Sequence, residues 1–306
     1  MRPTFLGIGV PRGGSTWLYE VLDAHPDVYV SQQRKEVHFF DRSFDKGWAW
    51  YESFFPAEAG RYLAVGEVTP HYIYSQEAME RIRATPSITR LITTLRDPVE
   101  RAFSHYTWRM QHDNYRGDFR SFLADYPEAV EWGRYSSHLE RCFGLFPRES
   151  VLVLVCEHAF ADVPGALRRI AEHLGVDAGR FPAGTGGTRV NTAVSPRSGA
   201  AYKVASRVGA FMRRHDLYWI NKFAVNLLGV KRLLGREGKG KPRLTPEDRA
   251  VRPDPVRGRD GARGVAAGRE PGRVAGVSRV QARAWAASLV GTLVPCCLLY
   301  SPTIQS

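Results

Sequence analysis

The segment that most constrains this chain is a short apolar run that ends in a glycine-rich turn and leads directly into a helix. Residues 5–10 (FLGIGV) are apolar and precede the turn at residues 11–16 (PRGGST). Apolar residues then recur at helical spacing over residues 17–22, and Ser15 or Thr16 is expected to cap that helix. A buried strand, a glycine-rich turn and a helix N-terminus together form a cradle for phosphate, because backbone N–H groups point at the anion.

The turn differs from that of a nucleoside triphosphatase. The spacing from Gly9 to Gly14 matches a P-loop, but Ser15 stands where such an enzyme needs lysine, and the cation comes earlier, at Arg12. No apolar run in the sequence ends in an aspartate placed to hold Mg²⁺. The pattern therefore disfavours a Mg²⁺-triphosphate site and leaves open a tight turn that binds nothing.

Short apolar runs alternate with helical patterns along the rest of the chain. Further strands are predicted at residues 27–30, 62–68, 90–95 and 151–155, and helices at residues 75–83, 98–110 and 164–174. Asp97 is a good N-cap and Pro98 a good first residue for the helix over 98–110. This alternation predicts a single α/β domain with a central parallel sheet flanked by helices.

A second pattern suited to phosphate follows the run at residues 90–95. Arg96 would lie at the carboxyl end of a parallel strand, where open α/β sheets bind ligands. Ser104 would lie on nearly the same face of the next helix as Asp97, so an arginine and a hydroxyl could hold a second phosphate. Alternatively, Arg96 forms a structural ion pair with Asp97 or Glu100.

Residues 11–18 (PRGGSTWL) and 95–106 (LRDPVERAFSHY) resemble the two nucleotide signatures of the sulfotransferase family that uses 3′-phosphoadenosine 5′-phosphosulfate (PAPS). Residues 35–41 (KEVHFFD) resemble the segment that carries the catalytic carboxylate in glycan sulfotransferases of the heparan sulfate type. Residues 66–70 (GEVTP) and 133–149 resemble later motifs of the same enzymes. The resemblance covers most of the first 200 residues and weakens towards residue 248.

The resemblance implies a P-loop-like fold and transfer of a sulfuryl group from PAPS to a hydroxyl or amine of an acceptor, a glycan being slightly favoured over a lipid, a peptide or a metabolite. Glu36 is implied as the base that deprotonates the acceptor, and His38 is either the alternative base or a packed histidine. Arg12 would balance the charge that develops on the leaving phosphate, and no metal is expected if cationic side chains neutralise that charge. The residues implied to hold the donor are Arg12, Gly13, Gly14, Ser15, Thr16, Arg96, Ser104, Tyr135 and Arg197.

Two positions depart from the family pattern. Arg12 stands where lysine is usual, but arginine keeps the charge and its fork suits phosphate. Val68 stands where the heparan-type enzymes often carry lysine, and Lys35 is a candidate to replace that cation. The aromatic-rich residues 38–55 are either core or a wall that stacks against the acceptor.

Two other functions compete with sulfuryl transfer. One is a P-loop nucleotide kinase, which the serine at position 15 and the second motif at Arg96 and Ser104 disfavour. The other is a catalytically silent, sulfotransferase-like binding protein, whose partner surface would be the basic end of the chain.

Positive charge is concentrated at that end. The 306 residues carry a formal net charge of +12, and residues 231–306 hold 15 Lys and Arg against 6 Asp and Glu, a net of +9. We predict a sulfotransferase domain over residues 1–248 and a basic low-complexity tail over 249–306, with the composition of a disordered segment or of a frame-shifted product. Aromatic residues do not alternate with the basic ones over most of the tail, so nucleic acid is not an expected partner.

The sequence also predicts a cytoplasmic location. The N-terminus lacks the pattern of a signal peptide, and the four cysteines lack metal-binding spacing. The run at residues 284–300 is interrupted by Gly291 and Pro295, so no stable membrane span is expected.

Overall fold

A computed structural model describes residues 1–187, 194–196, 235–237 and 242–250. The chain divides into two compact units, Met1–Gly258 and Arg259–Ser306, and the second lies wholly outside the described residues. The boundary after residue 248 and the nature of the tail therefore stay predictions. Arg197 and the apolar run at residues 284–300 also lie outside the described residues.

The described part of the chain is built on a five-stranded parallel sheet with the order β2-β3-β1-β4-β5. Its strands are β1 (Phe5–Gly9), β2 (Val28–Val30), β3 (Ala64–Val68), β4 (Arg90–Leu95) and β5 (Val151–Val155). The predicted strands are confirmed to within two residues at each end. Their nearly continuous apolar runs suit a parallel sheet that is covered on both faces.

Helices, short 3-10 turns and a two-stranded antiparallel pair surround the sheet in the described part of the chain. The helices are α1 (Ser15–Ala24), α2 (Phe39–Arg42), α3 (Gly47–Glu52), α4 (Gln76–Arg83), α5 (Pro98–His112), α6 (Phe119–Asp125), α7 (Glu128–Glu131), α8 (Tyr135–Leu145), α9 (Cys156–Ala161), α10 (Val163–Leu174) and α11 (Pro246–Ala250). Strands β6 (Val194–Pro196) and β7 (Gly235–Glu237) pair antiparallel. Within the described ranges, none of these helices has the length and apolar character needed to cross a bilayer.

The two faces of the sheet bury separate cores. Because strand side chains alternate, Phe5 of β1 packs with α1 on one face, while its neighbour Leu6 packs on the other. The second core receives the aromatic-rich residues 38–55, and the rings of Phe39 and Tyr51 stack there at 4.2 Å. The side chains of that segment that are at most 2% exposed are Phe39, Phe40, Tyr51, Phe54 and Phe55. These five aromatic side chains are core residues and do not form a wall facing an acceptor.

Strands β1 and β4 are neighbours, so the segments that follow them emerge at the same edge of the sheet. Their register pairs Gly9 with Thr93, and the N–H of Val10 donates to the Thr94 carbonyl at 2.9 Å. The glycine-rich turn follows β1, and Arg96 follows β4. The topology therefore brings together the two motifs that the sequence predicts to bind phosphate.

The two helix starts at this edge differ in how they are capped. The prediction that Ser15 or Thr16 caps α1 is wrong, because the cap position is Gly14, with φ +100° and no side-chain hydrogen bond. The prediction for α5 is confirmed: Asp97 Oδ1 accepts from the N–H of Glu100 at 2.8 Å, and proline follows the cap. Because no side chain caps α1, the free backbone N–H groups of its first turn remain available to a ligand.

Candidate active site

The glycine-rich loop is held by close packing against α9. A Cβ built on Gly14 would lie 2.3 Å from Cys156 Sγ, and the positive φ of Gly14 disfavours a side chain as well. The Cys156 thiol donates to the Gly13 carbonyl at 2.7 Å, and burial raises its pKa to about 12, so it remains a neutral donor. Cys156 thus fixes the loop from the side packed against α9, and the N-terminus of α1 is left to face a ligand. This is the geometry in which a helix N-terminus binds an anion.

Arg12 joins the two motifs directly. Its Nε donates to Ser104 Oγ at 3.1 Å, although the two residues are 92 positions apart. Burial lowers the pKa of Arg12, and the positive charges of Arg96 and Arg101 lower it further. The predicted loop cation and the predicted hydroxyl of the second motif therefore lie in one electropositive site.

Arg96 makes the alternative contact that its sequence allowed as well as lying at the predicted edge. Its Nη2 is 2.9 Å from Glu100 Oε2, and both side chains are about one-third exposed. Tyr135 Oη donates to the Arg96 carbonyl at 2.7 Å, and burial raises the pKa of Tyr135 to about 12. Tyr135 thus contacts the backbone of the second motif. An exposed ion pair of this kind costs little to exchange for a phosphate contact.

Arg101 contributes a buried charge that sequence reasoning did not assign to the site. It is fully buried, and its Nη2 donates to the Ala129 carbonyl. Burial lowers the pKa of Arg101, and the neighbouring Tyr74 and Tyr135 hydroxyls oppose that change, but within the described ranges no carboxylate pairs with the guanidinium. A buried charge without a counter-ion is costly, so the clustering of Arg12, Arg96 and Arg101 favours binding of an anion at this edge.

Lys35 reaches the loop from a segment that follows β2. Its Nζ donates to Thr16 Oγ1 at 2.8 Å and lies 3.9 Å from Glu36 Oε1. Burial lowers the pKa of Lys35, while the neighbouring Glu36 carboxylate opposes that change. The structure thus places a second cation beside the loop, where the sequence offered Lys35 in exchange for the missing lysine at Val68.

Glu36 and His38 lie together, and Asp41 holds the histidine. His38 Nε2 is 3.6 Å from Glu36 Oε2, and its Nδ1 is 2.8 Å from Asp41 Oδ2. Burial opposes ionisation of Glu36, but the His38 interaction and the charge of Lys35 outweigh it, so the pKa of Glu36 lies below its ordinary value. Burial likewise disfavours the charged form of His38, yet Asp41 and Glu36 raise its pKa. Glu36 is therefore an ionised carboxylate beside the loop cations.

Two neighbours of His38, Asp41 and His71, were not predicted as site residues. Asp41 lies in the same motif as His38, and its spacing of three residues at the start of α2 is a signal that could have identified it. His71 follows β3 and lies with its ring centroid 5.3 Å from that of His38. Burial and the charge of His38 lower the pKa of His71 to about 4. Nothing in the sequence connects His71 to residues 36–38, because only the pairing of β3 with β1 and β2 brings them together.

A buried carboxylate supports the turn that carries His38. Glu67 Oε2 accepts from Thr69 Oγ1 at 2.6 Å, and Glu67 Oε1 accepts from Tyr72 Oη at 2.7 Å. Thr69 Oγ1 in turn accepts from the His38 N–H at 3.3 Å, and Tyr72 Oη accepts from the Phe39 N–H at 2.9 Å. Burial raises the pKa of Glu67 to about 7. Two relays of hydrogen bonds therefore fix the backbone at residues 38 and 39, where His38 has φ +57°.

The glycine-rich loop, the three clustered arginines and the ionised Glu36 carboxylate have the composition of a site for a phosphorylated anion beside a general base. A family model for the sulfotransferase domain matches residues 2–185 of the chain. The chain belongs to the sulfotransferase family.

Similarity to individual proteins agrees with this assignment. The chain is 37% identical over 186 residues to heparan sulfate glucosamine 3-O-sulfotransferase 3B1 of Homo sapiens, an alignment that covers 57% of this chain and 46% of that protein. It is 34% identical over 182 residues to heparan sulfate glucosamine 3-O-sulfotransferase 6 of Mus musculus, covering 57% and 52%. The chain thus spans about half the length of the curated relatives it matches.

The fold agrees with a solved structure. The sulfotransferase from Alicyclobacillus acidocaldarius superposes with a TM-score of 0.54 at 24% identity and covers 73% of this chain and 96% of its own. This confirms the predicted α/β fold with a central parallel sheet.

Proposed function

We propose that the protein transfers a sulfuryl group from PAPS to a hydroxyl or amine of an acceptor, and that the acceptor is a glycan. The observation that carries the proposal is the convergence of Arg12, Ser104, Lys35 and Glu36 at one edge of the sheet, in a chain of the sulfotransferase family. The names of the curated relatives support a glycan acceptor.

The donor would be held through its two phosphorylated ends. The loop over residues 12–16 suits the 5′-phosphosulfate, because it presents helix N–H groups, the Arg12 guanidinium and the Thr16 hydroxyl beside Lys35. Arg96 and Ser104 suit the 3′-phosphate, which would exchange with their present contacts to Glu100 and Arg12. The buried charge of Arg101, which has no carboxylate partner within the described ranges, supports this assignment, since a ligand with two phosphates brings anions to the arginine cluster.

The transfer step needs a base on one side of the sulfur and cations on the other. Glu36 takes the proton of the acceptor hydroxyl as the acceptor oxygen forms its bond to sulfur. The bond between sulfur and the 5′-phosphate oxygen breaks, and 3′-phosphoadenosine 5′-phosphate (PAP) leaves. Arg12 and Lys35 neutralise the negative charge that develops on the leaving phosphate. Lys35 lies between the Thr16 hydroxyl and the base, so it can serve both positions.

Glu36→Gln tests the base. We expect the rate of transfer of labelled sulfate from PAPS to heparan sulfate to fall about 10²- to 10⁴-fold, because an amide cannot accept the proton. The affinity for PAP should stay within about twofold, since the loop is unchanged. Glu58→Gln removes an exposed carboxylate and should keep the full rate. Transfer by Glu36→Gln near the wild-type rate, with PAP binding intact, would show that Glu36 is not the base.

Lys35→Met tests the second cation. The rate constant for transfer should fall about 10²-fold, a loss typical of one group that stabilises charge in a transition state. Lys46→Met is a matched control, because Lys46 packs over the Trp50 ring at 4.3 Å, away from the loop.

The kinase alternative predicts that ATP with Mg²⁺ raises the melting temperature while PAP does not. A binding protein without catalysis would bind PAP and label no acceptor.

A further inference from the structure

A cluster of three metal-ligating side chains lies beside the proposed donor loop. Glu36, His38 and His71 each offer one ligand atom, and these atoms all lie within 4.8 Å of one another. Two imidazoles and one carboxylate form a donor set that zinc and similar divalent metals prefer. Ligand atoms around tetrahedral zinc are roughly 3.3 Å apart at the usual bond lengths, so small side-chain rotations would bring this set into range.

His38 is already oriented as a metal ligand. Its Nδ1 faces Asp41 Oδ2 at 2.8 Å, and because an ionised carboxylate only accepts hydrogen bonds, Nδ1 carries the proton. Its other nitrogen, Nε2, faces the ionised Glu36 carboxylate, whose Oε2 is 3.6 Å away, and carries a proton there when no metal is bound. A metal bound at Nε2 takes the place of that proton, which is released to solvent. A carboxylate that holds the far nitrogen of a histidine is the usual support for histidine ligands in zinc sites.

His71 completes the set from a different strand. Its Nδ1 is buried and has no hydrogen-bond partner within the described ranges, so the ring can rotate without breaking a bond at that atom. Its ring and that of His38 are inclined by 41°, with both rings beside the same carboxylate. The Glu36 side chain is 36% exposed, which leaves the cluster open to solvent for a further ligand such as water.

From this geometry we infer that Glu36, His38 and His71 form a binding site for a divalent cation of the zinc type, and that the bound metal inhibits transfer by occupying the carboxylate of Glu36. The inhibition rests on the proposed function, whereas the binding site itself does not. A metal that holds both oxygens or one oxygen of Glu36 competes directly with the proton that this carboxylate must accept.

Metal binding is tested first, without any measurement of activity. The full chain is stripped with a chelator and titrated with Co²⁺, whose visible absorption reports ligand number and geometry, and with Zn²⁺ by calorimetry. We expect one equivalent to bind to the wild type and the affinity to fall at least about tenfold in His71→Ala and in His71→Gln, which keeps the size of the side chain. Asp41→Asn should weaken binding by about tenfold through the orientation of His38.

His158→Ala is the matched control, because His158 is an exposed histidine on α9. It should bind Co²⁺ and Zn²⁺ as the wild type does. Absence of Co²⁺ absorption and of Zn²⁺ heat in the wild type would overturn the site, as would unchanged affinity in a folded His71→Gln variant.

Inhibition is tested second, with each variant normalised to its own metal-free rate. Zn²⁺ should inhibit the wild type and His158→Ala at the concentrations that saturate the site, and His71→Gln should require at least about tenfold more metal. Equal inhibition of all three proteins would refute the inhibitory role. If no protein transfers sulfate to any acceptor, the proposed function fails while the binding titration still decides the metal site.

Discussion

Glu67 offers a quantitative test of the buried network that supports the His38 turn. Its carboxyl is fully buried, and burial raises its pKa from 4.5 to about 7. In the unfolded chain the carboxyl loses its proton near its ordinary value, whereas the native state keeps the proton until about pH 7. The native state therefore binds more protons between these values, and raising the pH through this window favours unfolding.

The magnitude follows from the size of the pKa difference. At about 1.36 kcal/mol for each pH unit, and with both titrations taken into account, this one group lowers the free energy of unfolding by about 2 to 3 kcal/mol between pH 5 and pH 8. Glu67→Gln removes the titration and keeps the shape of the side chain. Below about pH 7 the native carboxyl is protonated and already has one donor oxygen, so the amide keeps one donor and one acceptor and the substitution itself costs at most about 1 kcal/mol there.

The assay is urea unfolding of both proteins at several pH values, followed by tryptophan fluorescence. The difference in free energy of unfolding, wild type minus Glu67→Gln, should fall by about 2 to 3 kcal/mol from pH 5 to pH 8, so that the wild type is relatively more stable in acid. Glu140→Gln is the control, because Glu140 is exposed on α8 and its removal should leave the difference between the pH profiles of wild type and Glu67→Gln in place. Parallel profiles for the wild type and Glu67→Gln would refute the assignment of a raised pKa to this carboxyl.

Two further predictions concern the edge of the sheet that is proposed to bind the donor. Gly14→Ala should abolish the rise in melting temperature produced by PAP, because the added Cβ would meet Cys156. Gly47 also has a positive φ, but a Cβ there would meet nothing within 4 Å, so Gly47→Ala should keep the PAP-induced rise. Equal rises in the two variants would contradict the steric reasoning. Asp97→Ala should lower the free energy of unfolding by about 1 kcal/mol through loss of the α5 cap, and it should also weaken PAP binding. Asp118→Ala removes the cap of α6 and should lower stability alone. Calorimetry showing the same PAP affinity in both variants would count against a role of the α5 cap in the donor site.

Much of the fold could be predicted because its determinants are local. The five strands are short apolar runs bounded by glycine, proline or charged residues, and α5 begins with an aspartate and a proline at the two positions that favour them. The α1 cap could not be predicted in the same way. The serine and threonine of the loop are good caps by composition, but the packing of Gly14 on Cys156 places the helix start at the glycine.

The candidate site was predictable only as separate motifs. Motif spacing identified Arg12 and Ser104, whereas Glu36 came only from the resemblance of residues 35–41 to a segment of glycan sulfotransferases. No such pattern relates Arg12 to Ser104, which the pairing of β1 with β4 brings to 3.1 Å. The same holds for His71, a lone histidine in sequence that becomes a neighbour of His38 only in the folded chain.

By itself, the sequence determined the five strands of the sheet, the helices α1, α4, α5 and α10, their order and the types of residue available for an anionic donor, because hydrophobic period, turn chemistry and helix capping act over a few residues. The tertiary structure alone decided which charges share a site, which carboxylate is buried and which remains ionised. Those outcomes depend on distance and solvent exposure, and both are set by how strands distant in sequence pair within the sheet. Glu36 and Glu67 are the same residue type, yet neighbouring cations keep one ionised and burial raises the pKa of the other to about 7.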